Sequence, residues 1–418
     1  MKQFNRLLAC VMVSFVLILK MFTAFAWSRM SLKTAAACID NAPPPPAFDL
    51  GPQALAEIIG PMSAADDALA RLDERLRKSP VRGGVLARLD AREACAALWA
   101  EAELVQLEDL VLHDAGMDVR SPSHELVRAH SYLRLRRRAA EGDPKALLRP
   151  EGILRLAGRS ASGPAADGPA GRAGGSGEAE DADPDGRGFD GDRDGDSDEF
   201  AAEQAGASAA AAAAQSLLLR LSAGARDSLV YDEDWDEAGR LKAWSAGLTE
   251  ADAFPPLLGA LLLARAWRHQ QPLQRQGFLA PVLAALYLRR RGRTVAHLLV
   301  FHLGLRRLKP ALRRLRTPLD DLQHSLAIVA AGAGEALALH DRLTLARELL
   351  ARKCKGKRGS SNLPALAELL LEAPLVSVPL IAQRLKISPQ AAQLLVAELG
   401  SSLREITGRK RYRAWTIG

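Results

Sequence analysis

Residues 363–418, LPALAELLLEAPLVSVPLIAQRLKISPQAAQLLVAELGSSLREITGRKRYRAWTIG, decide how the whole chain is read. The spacing predicts a first helix over Leu363 to Leu371. It stops at Ala373-Pro374, because proline bars a helix interior and pushes the residue before it towards extended backbone. A second helix is expected over Ser377 to Leu385, followed by the short link Lys386-Ile387. Ser388 then suits an N-cap, and Pro389 suits the first helical position, where a missing N–H costs nothing. In the third helix Ala392, Leu395, Val396 and Leu399 recur at helical spacing and should face a core. Gln390, Ala391 and Gln393 fall on the opposite side, near the N-terminus. In a helix-turn-helix this is the end that enters the major groove, where Gln can pair with adenine through two hydrogen bonds.

The remainder of the stretch reads as a β-hairpin: Leu403 to Thr407, a turn at Gly408-Arg409-Lys410, then Arg411 to Ile417. Gly408 supplies the conformational freedom of a turn, and Tyr412, Trp415 and Ile417 favour strand. Arg409, Lys410, Arg411 and Arg413 should reach a phosphate backbone. Helix, helix, Ser-Pro-capped helix and basic hairpin, in that order, predict a winged helix-turn-helix that binds double-stranded DNA, with Ser388, Gln390, Ala391 and Gln393 on the reading helix. The bland alternative is a small helical packing domain with a solvated basic tail.

Outward from this module, 418 residues suggest two or three domains. Ala, Leu and Arg dominate, aromatic residues make up 5%, and β-branched runs are scarce, which predicts a mainly α fold. The net charge of +7 is unevenly spread. Glu178 to Glu237 is strongly acidic and Arg265 to Arg358 strongly basic, a polarity that suits a polyanion-binding half joined to an acidic segment able to shield it. Cys10, Cys38, Cys95 and Cys354 are far apart and form no C-x-x-C pair, so neither a disulfide framework nor a zinc site is implied, and a reducing compartment fits.

Five regions are expected. Residues 1–29 carry Lys2 and Arg6 before an apolar run and a small-x-small triplet at Ala24-Phe25-Ala26, the pattern of a secretory signal. A secreted DNA reader makes little sense, so translation starting near Met30 and a cytoplasmic location are the preferred expectation. A membrane-tethered regulator is the minor one, and no stable membrane association is expected. Residues 51–140 are helical, with an apolar stripe Ala68, Leu69, Leu72 and Leu76, a break at Ser79-Pro80, and one long helix from Ala94 to Leu112 that turns Ala102 and Val105 inward. The acids along it, Glu101, Glu103, Glu108 and Asp109, read as a solvated face rather than a catalytic cluster. Residues 141–226 are a low-complexity acidic linker. Within it Asp181-x-Asp183-x-Asp185-Gly186 begins like an EF-hand loop but has Asp192 where a bidentate Glu belongs, so calcium is not expected. Residues 227–355 form a helical body, and residues 363–418 the DNA-binding module. Arg289, Arg290 and Arg291 sit at a helix C-terminus and need no DNA to account for them. His297 and His302, five apart, share no helix face and make poor metal ligands.

The segments ACAALWAEAELVQLEDLVLH (Ala94 to His113), Asp232 to Leu241, Phe254 to Leu305 and ELGSSLREITGRKRYRAW resemble uncharacterised helix-turn-helix proteins of rhizobial type, over nearly everything beyond Ala64 except the acidic insert. That resemblance implies a DNA-binding protein. The body of such proteins is in turn similar to Fic-type adenylyltransferases, whose loop H-P-F-x-D-G-N-G-R supplies a general base, a magnesium ligand and a phosphate cradle. Here the loop reads Gln271-Pro272-Leu273-Gln274-Arg275-Gln276-Gly277-Phe278. Gln271 stands for the His, Arg275 for the Asp and Phe278 for a glycine, while Glu101 keeps the place of the family's inhibitory glutamate. The resemblance therefore implies a degenerate, catalytically empty Fic-like body, needing neither cofactor nor metal. Two rivals stay open: a nucleotidyl-transferring enzyme, and an interaction or antitoxin-like module, with a homodimer among the partners allowed.

Overall fold

The computed structural model describes residues 51–117, 121–159, 235–308, 317–356, 361–406 and 413–417. The signal-like segment 1–29, the polyproline stretch 43–46, the linker from residue 160 with its EF-hand-like run, and the wing tip 407–412 lie outside them.

Helix α1 (Pro52–Arg77) starts with proline in its first turn and buries Ile58, Ala65, Leu69, Leu72 and Leu76 along one side. Helix α2 (Arg82–Ala100) follows the break at Ser79-Pro80. The long helix expected from Ala94 to Leu112 is in fact two: α2 ends at Ala100 and α3 covers Leu107–Asp114. Ala102 is the cause. It adopts φ 65°, and the N–H groups of Ala102 and Glu103 turn back onto the carbonyls of Trp99 and Leu98 at 3.0 and 2.9 Å. This is a left-handed helix stop, usually made with glycine. An alanine in that role carries no sequence signal, and Ala102 is exposed rather than inward. The loop is held by Arg128, which bridges Glu101 and Glu103.

Helix α4 (His124–Glu141) is capped by the Ser123 hydroxyl at 3.3 Å from the Leu126 N–H. The acidic linker begins later than residue 141. Asp143 caps α5 (Pro144–Leu147), and α6 (Pro150–Leu156) buries Ile153 and Leu156. Gly152 permits this, since a Cβ there would stand 2.2 Å from the Ala146 carbonyl oxygen. Two such short elements have too little periodicity to show in sequence.

Helices α7 (Glu237–Ala251), α8 (Pro256–Gln270) and α9 (Leu279–Arg290) follow, then α10 (His302–Arg307) and α11 (Pro318–Cys354). The helices α8 and α9 are apolar over most of their surface, and most of their residues are buried, as predominantly apolar helices must be. They pack on each other at the centre of the body. Helix α11 opens with a reciprocal capping box between Thr317 and Asp320, and lays its apolar stripe along α1 and α10. Arg289 donates to the carbonyls of Ala139 and Ala140, while Arg290 and Arg291 pair with Asp252, so these three cations serve the body itself.

Between α9 and α10 the chain runs through the core without regular structure. Buried backbone groups need partners, and here side chains provide them. Asp73 accepts from the N–H groups of Val295 and Ala296, both at 2.7 Å. Arg82 donates to the Ala296 carbonyl at 3.1 Å and Arg136 to that of Leu299 at 3.0 Å. Glu93, fully buried, accepts from Phe301, His302 and Leu303 at 2.9, 2.7 and 2.9 Å and thereby caps α10. The His302 ring also lies 3.1 Å from the same carboxylate.

Candidate nucleic-acid interface

The C-terminal module is built in the expected order, with one addition. Helix α12 (Leu363–Glu372) ends at Ala373-Pro374. A two-residue strand, β1 (Val376–Ser377), then precedes α13 (Val378–Leu385) and α14 (Pro389–Leu399). Strands β2 (Leu403–Glu405) and β3 (Ala414–Ile417) close the module. All pairings are antiparallel, in the order β1-β3-β2, with Val376 opposite Trp415 and Leu403 opposite Ile417. The sequence predicts the hairpin and not β1, whose Ser377 it places at the start of the second helix. Ser377 does both jobs: it pairs with Ala414 as strand and accepts the Leu380 N–H at 3.4 Å as N-cap.

The helix-turn-helix follows from local chemistry. Lys386 takes φ 54° and ends α13, and the Ile387 N–H returns to the Ala382 carbonyl at 3.1 Å. Ser388 then accepts the Ala391 N–H at 3.2 Å. The hydroxyl is used as an acceptor, so its own hydrogen remains available to donate. Ala392, Val396 and Leu399 are buried, with Leu395 partly so, as their spacing predicted. Gln390, Gln393, Leu394 and Ala397 are exposed, and Ala391 lies at the edge of the core. Positions 390, 393, 394 and 397 share one face of the helix. Sequence reasoning missed Leu394, which is 72% exposed on this face. An apolar residue there has no packing role and can contact a thymine methyl. Two further exposed cations, Arg384 and Lys386, lie beside the turn.

Of the predicted phosphate contacts, Arg409, Lys410 and Arg411 lie outside the described residues. Arg413 is exposed, pairs with Glu405 across the hairpin, and sits 5.5 Å from the Trp415 ring. The ion pair lowers the Glu405 carboxyl and raises the Arg413 guanidinium relative to their ordinary values. At least part of the Arg413 charge is therefore committed to the wing itself.

Two cations from the body hold the module at helix C-termini, where the backbone dipole favours positive charge. Lys353, on α11, donates to the Leu399 carbonyl at 2.7 Å. Arg88, on α2, donates to the carbonyls of Leu371, Leu370 and Ala373 at 2.8, 2.8 and 2.7 Å. Burial pushes Arg88 down to about 10, and these carbonyls at the end of α12 take the place of water. Gly84 lets the helices approach, since a Cβ there would lie 1.8 Å from the Leu371 oxygen. The module is thus tied to the first part of the chain at α12 and to α11 at the end of α14.

The Gln271 loop, between α8 and α9, is pinned by donors on its carbonyls. Arg240 reaches Gln270 at 2.9 Å, Trp235 reaches Gln271 at 3.2 Å, and Trp267 reaches Gln276 at 2.9 Å. Gln271 and Arg275 both take positive φ, 45° and 58°. The buried Cys95 thiol is pushed up to about 12 by burial, which suits a packed rather than a reactive thiol.

This geometry defines a mostly helical protein that ends in a helix-turn-helix DNA-binding domain. Residues 363–417 match the family described as HTH DNA binding domain, and residues 229–355 match one described as a protein of unknown function, DUF1612. The chain is similar to the uncharacterised protein y4cF of Sinorhizobium fredii, at 40% identity over 392 residues, covering 89% of this chain and 100% of y4cF. It belongs to the same family as y4cF.

Proposed function

We propose that this protein is a cytoplasmic, sequence-specific DNA-binding regulator whose helical body performs no chemistry of its own. The observation that carries the reading is the exposed face Gln390, Gln393, Leu394 and Ala397, presented by a helix that the body holds through Lys353. Two amides and an apolar side chain, free of packing duties, are what base edges require. Selection of bound sequences from a random DNA pool, using the full chain, tests it. Enrichment of one motif is the expected result; recovery of unrelated sequences would replace the regulator with a pure interaction module.

Within that reading, base contact and phosphate contact separate. Gln393→Ala should cost about 1–3 kcal/mol at the selected site and relax the preference at one base pair. Arg411→Ala should weaken binding about equally on every sequence and flatten the log–log salt dependence by about one unit. Titrations against the selected site, a single-base variant and random duplex, at several salt concentrations, distinguish the two. The groove assignment is wrong if Gln393→Ala loses affinity uniformly while Arg411→Ala changes the preferred base.

The catalytically empty body rests on the Fic resemblance and on side-chain chemistry. Gln271 cannot take a proton near neutral pH, and the cationic Arg275 does not attract a metal ion. Incubation with labelled ATP, magnesium and a cell extract should leave no label on any protein. Labelling that vanishes with Gln271→Ala would restore the enzyme.

A further inference from the structure

The body and the DNA-binding module meet along a cleft to which the function above assigns no role. Two cavities, about 400 and about 380 Å³, adjoin there and share Arg92, Leu107 and Glu108 as walls. The second opens between the body and the β-sheet of the module. Leu339 and Arg342 on α11 line one side, and Arg404 on β2 and Ile417 on β3 the other. Each cavity is large enough for a small ligand, since such sites run from about 300 Å³ upward.

The charge in this cleft is unbalanced. Arg88, Arg92, Arg342 and Arg404 line the joint cavity against the single acid Glu108. Arg88 is committed to the carbonyls of α12. Among the described residues Arg92 has only a distant carboxylate, Glu335 at 3.9 Å, which already holds Arg307 at 2.5 Å. Arg342 and Arg404 have no carboxylate partner among the described residues, and both are exposed to whatever enters. Burial pulls the Arg92 guanidinium below its ordinary value, and Arg342, Arg307 and Arg306 add to that against the opposing pull of Glu335. Cations crowded against apolar walls are stabilised by an incoming anion more than isolated surface cations are.

We propose that this cleft binds a small organic anion with an apolar body, its acid group among Arg92, Arg342 and Arg404 and its apolar part against Leu339 and Ile417. The first two arginines belong to the body and the third to the module. A ligand touching both sides binds the docked arrangement better than a loosened one and so stabilises it. Its effect on DNA rests on the regulator reading above; its binding does not.

The test uses the full chain and the fluorescent aromatic anion 8-anilinonaphthalene-1-sulfonate, with N-phenyl-1-naphthylamine as the uncharged analogue. One saturable site is expected, at least about tenfold weaker for the uncharged analogue and for the double variant Arg342→Gln, Arg404→Gln. Arg71→Gln, an exposed change on α1, should leave the affinity unchanged. Absence of a saturable site, equal binding of the neutral analogue, or full affinity in the double variant each overturns the proposal. A parallel titration with the selected DNA keeps the two ideas apart. If no DNA motif is found, the regulator fails while the anion site stands or falls on fluorescence alone.

Discussion

Replacing Glu93 by alanine should destabilise the protein by about 3–5 kcal/mol, as removal of one partner from a buried charge network does. The carboxylate is wholly buried and caps α10 through three backbone N–H groups, with the His302 ring beside it. Alanine leaves all of these donors without the carboxylate that accepts from them. Burial alone would raise the Glu93 carboxyl, but the His302 contact, the nearby Arg136 and the Leu303 N–H outweigh it and hold it at about 2, against an ordinary 4.5. The sign follows from linkage. A carboxyl depressed in the folded state contributes stability that is fully present above the unfolded value and is lost as pH falls through the folded one. Stability on the order of 3 kcal/mol should therefore disappear between about pH 4.5 and about pH 2, and the alanine variant should lack that part of the acid transition. Asp114, held low by His130 and Arg137 despite burial, adds a component of the same sign. Urea titrations of both proteins at pH 7, 5 and 3 measure this. A stability gap that stays constant over that range would show that Glu93 is not held as a carboxylate.

The second large effect concerns the coupling of body and module. Arg88→Met keeps an apolar stem but removes the donors to the carbonyls of Leu370, Leu371 and Ala373. Hydrogen bonds from a charged donor are worth about 1.5–3 kcal/mol each in favourable cases, and buried acceptors left unpaired cost more. A loss of about 3 kcal/mol is expected, concentrated at the joint. Calorimetry should then resolve two transitions in place of one, and amide exchange should accelerate in α12 before it does in α8 or α9. Gly84→Ala approaches the same joint by a different route, because its Cβ would collide with the Leu371 carbonyl. It should reproduce the split transition without removing a charge. A single, unshifted transition in both variants would mean that the contact is dispensable.

The parts legible in sequence are those whose cause is local. The Ser388-Pro389 start of α14, the buried spacing of Ala392, Val396 and Leu399, and the stop at Ala373-Pro374 depend on a few neighbouring residues, and the structure has them as predicted. Leu394 was also legible, since it falls outside the apolar repeat, but exposed leucines are common enough to be read past.

Other features were decided only in three dimensions. Ala102 ends α2 in a conformation that alanine tolerates only when the surroundings enforce it, here with Arg128 gathering Glu101 and Glu103. Strand β1 is two residues long and exists because β3, nearly forty positions on, lies beside it. In sequence Arg88, Glu93 and Asp73 look like ordinary charges on solvated helix faces. In the fold each is buried, and each satisfies backbone groups on a segment more than two hundred residues away. Capping and periodicity are short-range and can be read along the chain. The partner of a buried charge is fixed by which distant segment loses its water beside it, and only the tertiary structure decides that.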